Sequence, residues 1–544
     1  MNRRHFLKQG ALISGALSLY PIYSGRKFLH AQTDRDLVFR PYPHPWMPAI
    51  DFFYATDQNE DPFRCPVEIK QEGIRISREA TGQRFAVNTR WFVDGFGFVT
   101  LTADNAGQLY SVSDGGKEWN LNYEFARSRV FHFKQVVARY RKAGSTFSSE
   151  VTHLQQLAED FLESATSGKN KGEKCARLSD QSLNYALWAG EKLELEQARQ
   201  QIVRKQRLEQ VFFGCESRQY IWAKSEPFVQ RFTELLNFAT ITHYVWDSWY
   251  ELFEPQEGQY NWGIKDNIVN WLLENNITIQ GRPLFWFHPV VTPEWLKNKN
   301  FEQLKKYVEQ HTTDLVSHYG NNVLQWEVVN EYHDWANIHN HTPEEITEIV
   351  RLACDKTREV NPQIVRILNN CYPWAEYVAR GRMARMDAAR PLRTPRQFLQ
   401  DLINAGVNFE VLGIQIYFPQ RDHFQIVRLL ERLEKLGKPI YITEIGASSN
   451  PFAANPSGAQ AGSARNPYDW HRFWDEELQA DWLEQVYTLY YSRPSIQAIN
   501  WYDFSDFRPF IVNGGLITES SEAKPSYHRL KNLLKSWDRL PVKS

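Results

Sequence analysis

A chain of 544 residues with 63 Lys+Arg against 64 Asp+Glu has almost no net charge, which argues against nucleic acid or an anionic membrane as a partner, since both select a basic excess. Its hydrophobic share of 42% is ample for a large core, and the length fits roughly two to four domains or one large barrel with additions. The five cysteines (Cys65, Cys175, Cys215, Cys354 and Cys371) are scattered, odd in number and without CxxC spacing, so neither a disulfide framework nor a cysteine zinc site is indicated.

In chain order, the first feature is NRRHFLKQG (2–10), which resembles the twin-arginine export motif. The apolar run Ala11–Tyr23 behind it is broken by Gly, Ser and Pro and is too short to span a bilayer. Residues 1–31 therefore read as a twin-arginine signal peptide with cleavage after Ala31, and the expected location is periplasmic or secreted. Residues 32–145 show period-two patterning in VEIKQEGIRISRE and RWFVDGFGFVTLTADN, which predicts a small β-sandwich. Its Trp91, Phe92, Phe96, Phe98 and Trp119 are core rings or a sugar-stacking face, so the module is a candidate carbohydrate-binding one. Residues 146–208 turn helical, with two segments, EVTHLQQLAEDFLESA and LNYALWAGEKLELEQARQQIVRKQRLEQ, forming a linker.

From 209 to 540 apolar runs alternate with amphipathic helical patterns. The runs are VFFGCE, TITHYVWDSW, ITIQGRPLFWF, VLQWEVVNE, VRILNNCY, FEVLGIQIYF, PIYITEIGA and IQAINWYDFSD. Eight such units predict an α/β fold, a TIM (β/α)8 barrel, whose site lies at the C-terminal ends of the strands. Strand four ends in Asn330-Glu331, strand six carries Gln415 and Tyr417, strand seven ends in Glu444, and strand eight carries Trp501 and Asp503. Two carboxylates facing one mouth suit glycosidic bond hydrolysis, where one gives a proton to the leaving oxygen and the other attacks the sugar or activates water. The 19 Trp fit that chemistry, because aromatic faces stack on neutral polyhydroxylated rings.

Six segments in order make the resemblance specific. WEVVNE (326–331) and ITEIG (442–446) are similar to the acid/base and nucleophile segments of glycoside hydrolase family 10, the endo-1,4-beta-xylanase family. ELFEPQEGQYNW (251–262), GRPLFWFHPVVTPEWL (281–296), GIQIY (413–417) and the tail INWYDFSD to AKPSYHRL (499–530) resemble further segments of it. The resemblance implies Glu331 as general acid/base, Glu444 as nucleophile, and Asn330 and Gln415 as groups that bind sugar and orient the carboxylates. It implies that Trp286 and Trp501 line the sugar, with Trp249, His288 and Tyr417 among the substrate-binding residues. It further implies a retaining hydrolase of β-1,4-linked polysaccharide, xylan first or a related β-glucan, working as a monomer without cofactor or metal.

The departures fall on the binding residues. Trp246, Trp249 and Tyr250 stand where the family has Asn, Lys and Trp, and Arg282 and Phe287 stand where it has strand-three histidines, with His288 one residue on. Tyr417 replaces the strand-six His, and its hydroxyl is able to donate to Glu444 in that residue's place. His333, Asp334, His339 and His341 crowd the loop after Glu331 without a metal-ligand spacing, so they are expected at the substrate rim. Rival readings are an exported carbohydrate-binding protein with a silent barrel, a β-glycosidase of another specificity, and a structural envelope protein.

Overall fold

The computed structural model describes residues 36–47, 50, 52–70, 72–167, 171–204, 211–246, 252–380, 392–419, 421–450 and 469–541. The segment read as a signal peptide lies outside them, as do Trp249 and Tyr250. Eight parallel strands close a barrel: β1 (Phe212–Glu216), β2 (Phe238–Thr242), β3 (Thr278–Arg282), β4 (Gln325–Asn330), β5 (Val365–Asn370), β6 (Val411–Tyr417), β7 (Ile440–Gly446) and β8 (Ile496–Trp501), with β8 paired to β1. The fold is the TIM barrel expected from the eight apolar runs, and each strand overlaps one of them. The strands are apolar on both faces because helices cover the outside.

The covering helices begin where the sequence supplies caps. Asn300, Thr342 and Thr394 each accept a backbone N–H from the third helical residue, and Gln303, Glu345 and Gln397 return the bond. Gly281 on β3 is required by close approach, since a Cβ there would sit 2.4 Å from the Trp326 ring of β4. Among the described residues no helix is long and apolar enough to cross a membrane.

Two sheets precede the barrel, and they differ from the expected self-contained sandwich in two ways. The strands end at Asn120, and Leu121–Lys142, read as part of the sandwich, is a 22-residue helix, α1. Its Val and Phe content imitates a strand, but Phe125, Phe133, Val136, Val137 and Tyr140 recur at helical spacing and are all buried. Two further helices follow, α2 (Ser149–Thr166) and α3 (Gly172–Arg204). The second difference is in the larger sheet. Its order is 472–473, 469–470, 97–103, 86–93, 53–56, 62–63, so its first two strands are a hairpin from the β7–β8 connection of the barrel. Trp91 and Phe96 of this module are core rings.

Polar bonds fasten the module to the barrel. Arg129 of α1 grips Asp422 with two nitrogens at 2.8 and 2.6 Å, both residues buried, and Asp422 precedes the helix His423–Glu434. Glu191 of α3 lies 2.6 Å from His471 in the hairpin and 3.6 Å from His423. Arg428 reaches Glu194 of α3 at 3.0 Å, and Tyr140 donates to the same carboxylate at 2.7 Å.

Candidate active site

Strand β4 delivers Asn330, and Glu331 follows at φ 56°, in the left-handed region. A non-glycine residue held there costs on the order of 1–3 kcal/mol and persists only where neighbours fix it. Here the Glu331 N–H donates to the Asn369 carbonyl at 2.8 Å, and its own carbonyl accepts from Ala336 at 2.9 Å. Register shifts interrupt the ladders at Glu327/Val329 against β5, at Ile414/Gln415 against β7, and at Ile442/Ile445 against β8. Such bulges re-aim side chains at a barrel rim. The shift in β6 pairs Gln415 with Glu444 in place of Thr443.

The two carboxylates have opposite surroundings. Glu331, 6% exposed, accepts from Gln415 Nε2 at 2.8 Å on one oxygen and from Trp286 Nε1 at 2.9 Å on the other. Burial, and next the Glu444 charge, push its carboxyl up to about 7 against those two hydrogen bonds. Glu444, 4% exposed, meets a cation: Arg282 Nη2 lies 2.8 Å from Oε1, while Tyr417 donates to Oε2 at 2.5 Å. Asn369 Nδ2 donates to Asn330 Oδ1 at 3.1 Å and reaches Glu444 Oε1 at 3.4 Å, so one carboxamide spans both strand ends. One acid is thus disposed to hold a proton, and the other is matched with positive charge.

Most residues singled out in the sequence meet here. Glu331, Glu444, Asn330, Gln415, Tyr417 and Trp286 form one connected group. His288 stacks on Trp286 with ring centroids 4.7 Å apart, and burial lowers its imidazole to about 4, so it is neutral near pH 7. Trp501 is a correction. It is 0% exposed in the barrel core, its Nε1 donates to the Gly514 carbonyl at 2.8 Å, and its ring packs near Trp482, so it offers no face to a sugar. The neighbouring Tyr502 turns the other way, toward Tyr417 and under the Arg282 guanidinium at 5.2 Å.

The Tyr332–Trp335 patch is also not a rim. His333 Nδ1 pairs with the Tyr377 hydroxyl at 2.8 Å, Asp334 binds Arg393, and His341 pairs with Tyr332 at 2.8 Å. Tyr332, His333, Asp334 and Trp335 are buried, and they brace the loop behind Glu331. No cluster of His, Cys, Asp and Glu suited to a metal occurs among the described residues.

Sequence reasoning gave no role to Arg282, Glu327, Asn369 or Tyr502. Glu327, inside WEVVNE, is fully buried with Oε2 3.9 Å from Arg282 Nε. Burial pushes its carboxyl up to about 8, Arg282 opposing. A charged residue within an apolar run is the available signal for Arg282 and Glu327, since neither is buried cheaply alone.

Comparison with known proteins adds to this geometry. The family "Glycosyl hydrolase family 10" matches residues 221–532, more than half of the chain. Endo-1,4-beta-xylanase 1 of Arabidopsis thaliana is 23% identical over 328 residues, covering 59% of this chain and 30% of that protein. Endo-1,4-beta-xylanase B of Thermotoga neapolitana is 23% identical over 303 residues, covering 53% of this chain and 78% of that protein. The chain therefore spans under a third of the first relative's length and about four-fifths of the second's. Among solved structures, xylanase 10B from Thermotoga petrophila RKU-1 in complex with xylobiose aligns at a TM-score of 0.46 and 20% identity, covering 63% of this chain and 96% of that one.

Proposed function

This chain belongs to glycosyl hydrolase family 10, and from that premise we propose that it is a retaining hydrolase of β-1,4-linked polysaccharide, with xylan as its first substrate. In this reading Glu444 attacks the anomeric carbon while Glu331 protonates the leaving oxygen. Glu331 then takes a proton from water, which releases the sugar from Glu444. Each Glu331 oxygen accepts one hydrogen bond, which leaves a lone pair to carry the transferable proton. The observation that carries the reading is the contrast within the pair: Glu331 raised by burial, Glu444 held by Arg282 and Tyr417. The xylan-cleaving names of the relatives support the substrate. Export through the twin-arginine route, with the protein acting as a monomer in the periplasm or outside the cell, completes the proposal.

A specific observation favours a second specificity. Arg282 and Phe287 occupy positions that the resemblance gives to histidines, and Arg282 is spent on Glu444, so the sugar-binding contacts on that side are altered. The test is a panel of xylan, β-glucan and aryl β-glycosides, with the anomeric form of the first product read by NMR. Wild type is expected to release the β-anomer from xylan, and Glu331→Ala and Glu444→Ala to lose turnover. Release of the α-anomer would overturn the retaining mechanism, cleavage of another glycan alone would replace xylan, and binding without any product would favour the silent-barrel reading.

A further inference from the structure

We propose that Arg282 is the positioning residue for the nucleophile, holding Glu444 by its charge and by the fixed direction of its Nη2–H bond; this rests on the hydrolase reading above. Arg282 is 1% exposed and ends β3, and it is the cation paired with Glu444 among the described contacts. Its Nη2 meets Glu444 Oε1 at 2.8 Å and donates to the Tyr244 hydroxyl at 3.3 Å. The guanidinium plane lies 5.2 Å from the centre of the Tyr502 ring, and the Nε edge faces Glu327 at 3.9 Å. Four groups thus fix one fork, and the closest of the two carboxylates is the nucleophile. Arginine suits the task because its planar fork stays charged at every working pH and presents hydrogens in set directions.

The chemistry gives that charge a reason. In the first step a Glu444 oxygen forms a bond to the anomeric carbon, the bond to the leaving oxygen breaks, and the Glu331 proton goes to that oxygen. Glu444 changes from an anion to a neutral ester, and the negative charge reappears on Glu331. The buried group of Glu444, Glu331 and Arg282 therefore keeps the same total charge through the step. A neutral residue at 282 would leave an uncompensated anion at every stage, in a place where water is excluded. Among the described residues, the other titratable groups that act on Glu444 include the acids Glu331 and Glu327 from β4, Cys371 after β5, Tyr417 on β6, Tyr502 after β8 and Tyr244 after β2.

The experiment uses the full chain and follows formation of the ester itself. Wild type, Arg282→Gln and Arg282→Lys are mixed with an activated 2-deoxy-2-fluoro-β-xylobioside, and sugar attached to Glu444 is timed by intact mass across an acid-to-neutral pH series, with melting temperatures measured beside it. Loss of a charged hydrogen bond predicts ester formation slowed ~10–100-fold in R282Q, with the acidic limb of its pH profile moved to higher pH. R282K, which keeps the charge without the fork, is expected to retain the wild-type limb and to be slowed about 10-fold. A merely structural role would lower the melting temperature without moving the limb. R282Q matching wild type in rate and limb would overturn the assignment. Should R282Q not fold, R282K decides: labelling slowed at an unchanged melting temperature supports the assignment, and wild-type labelling, or labelling slowed only in step with a lowered melting temperature, overturns it. Wild type that never gains the sugar would overturn the hydrolase reading and take this assignment with it.

Discussion

Two buried glutamates, Glu331 at the barrel mouth and Glu191 at the seam between α3 and the barrel, share a side chain and a degree of burial but are pushed in opposite directions. Burial raises both. At Glu331 a second carboxylate adds to the effect, and the group settles at about 7. At Glu191 the neighbours are His423 and His471, and against burial the attraction of their rings and the hydrogen bonds from His471 and the His423 N–H bring the carboxyl down to about 2. Burial alone therefore does not mark a catalytic acid. The sign of the neighbouring charge separates a group that keeps a transferable proton from one that is a fixed anion in a structural seam.

The contrast can be broken by substitution. Glu331→Gln is expected to cost about 10²–10⁴ in kcat/KM on substrates with poor leaving groups, with little change in melting temperature at acid pH, where an amide replaces an uncharged carboxyl. Glu191→Gln is expected to do the reverse, losing about 3–5 kcal/mol of stability because the seam loses the buried anion bound by His471 and the His423 N–H, with turnover at low temperature retained. Steady-state kinetics and denaturant unfolding of both variants check this, and matched losses in both would erase the distinction.

The pH dependence sharpens it. In the proposed mechanism Glu331 is protonated for the first step, so kcat/KM is expected to fall as pH rises through about 7. Because its folded value is raised, Glu331 contributes stability that is full below the unfolded carboxyl value and is lost as pH rises toward about 7. Glu191 is depressed, so its contribution is present above the unfolded value and is lost as pH falls toward about 2. Melting temperature against pH should therefore lose its acid-side slope in Glu191→Gln and its slope between the unfolded carboxyl value and neutrality in Glu331→Gln. The smallest effect concerns the two tryptophans. Trp286→Phe, which removes a donor to Glu331, is expected to reduce kcat/KM by about tenfold. Trp501→Phe is expected to change unfolding and leave KM within about twofold, since its core burial makes packing the affected quantity.

Much of this architecture is legible in the chain because parallel barrel strands are apolar throughout and the helices between them carry explicit caps. Glu331 and Glu444 are legible for the same reason: a carboxylate at the end of an apolar run is conspicuous. Trp501 is not, because its sugar-lining role comes from the resemblance, and one step past the end of β8 exchanges a core Trp for Tyr502, which turns toward Tyr417. Arg282 and Glu327 hide inside apolar runs, where the meeting of Arg282 with Glu327 and with Glu444 joins three strands distant in sequence. Helix α1 is rich in Val and Phe, so its content imitates a strand although its spacing does not. The hairpin at 469–473 joins strands more than 360 residues earlier in the chain, a partnership that no local pattern announces.

That hairpin bears on how the molecule can be divided. Trp470 pairs with Gly97 across the sheet, and the His471 N–H donates to the Phe96 carbonyl at 2.6 Å. A barrel cut free at residue 211 would carry two orphan strands with their hydrogen-bonding edge open, and a front module cut free at 145 would lose the end of its sheet. The two parts are interleaved like a clasp, and the smallest excisable unit with a closed surface is the pair.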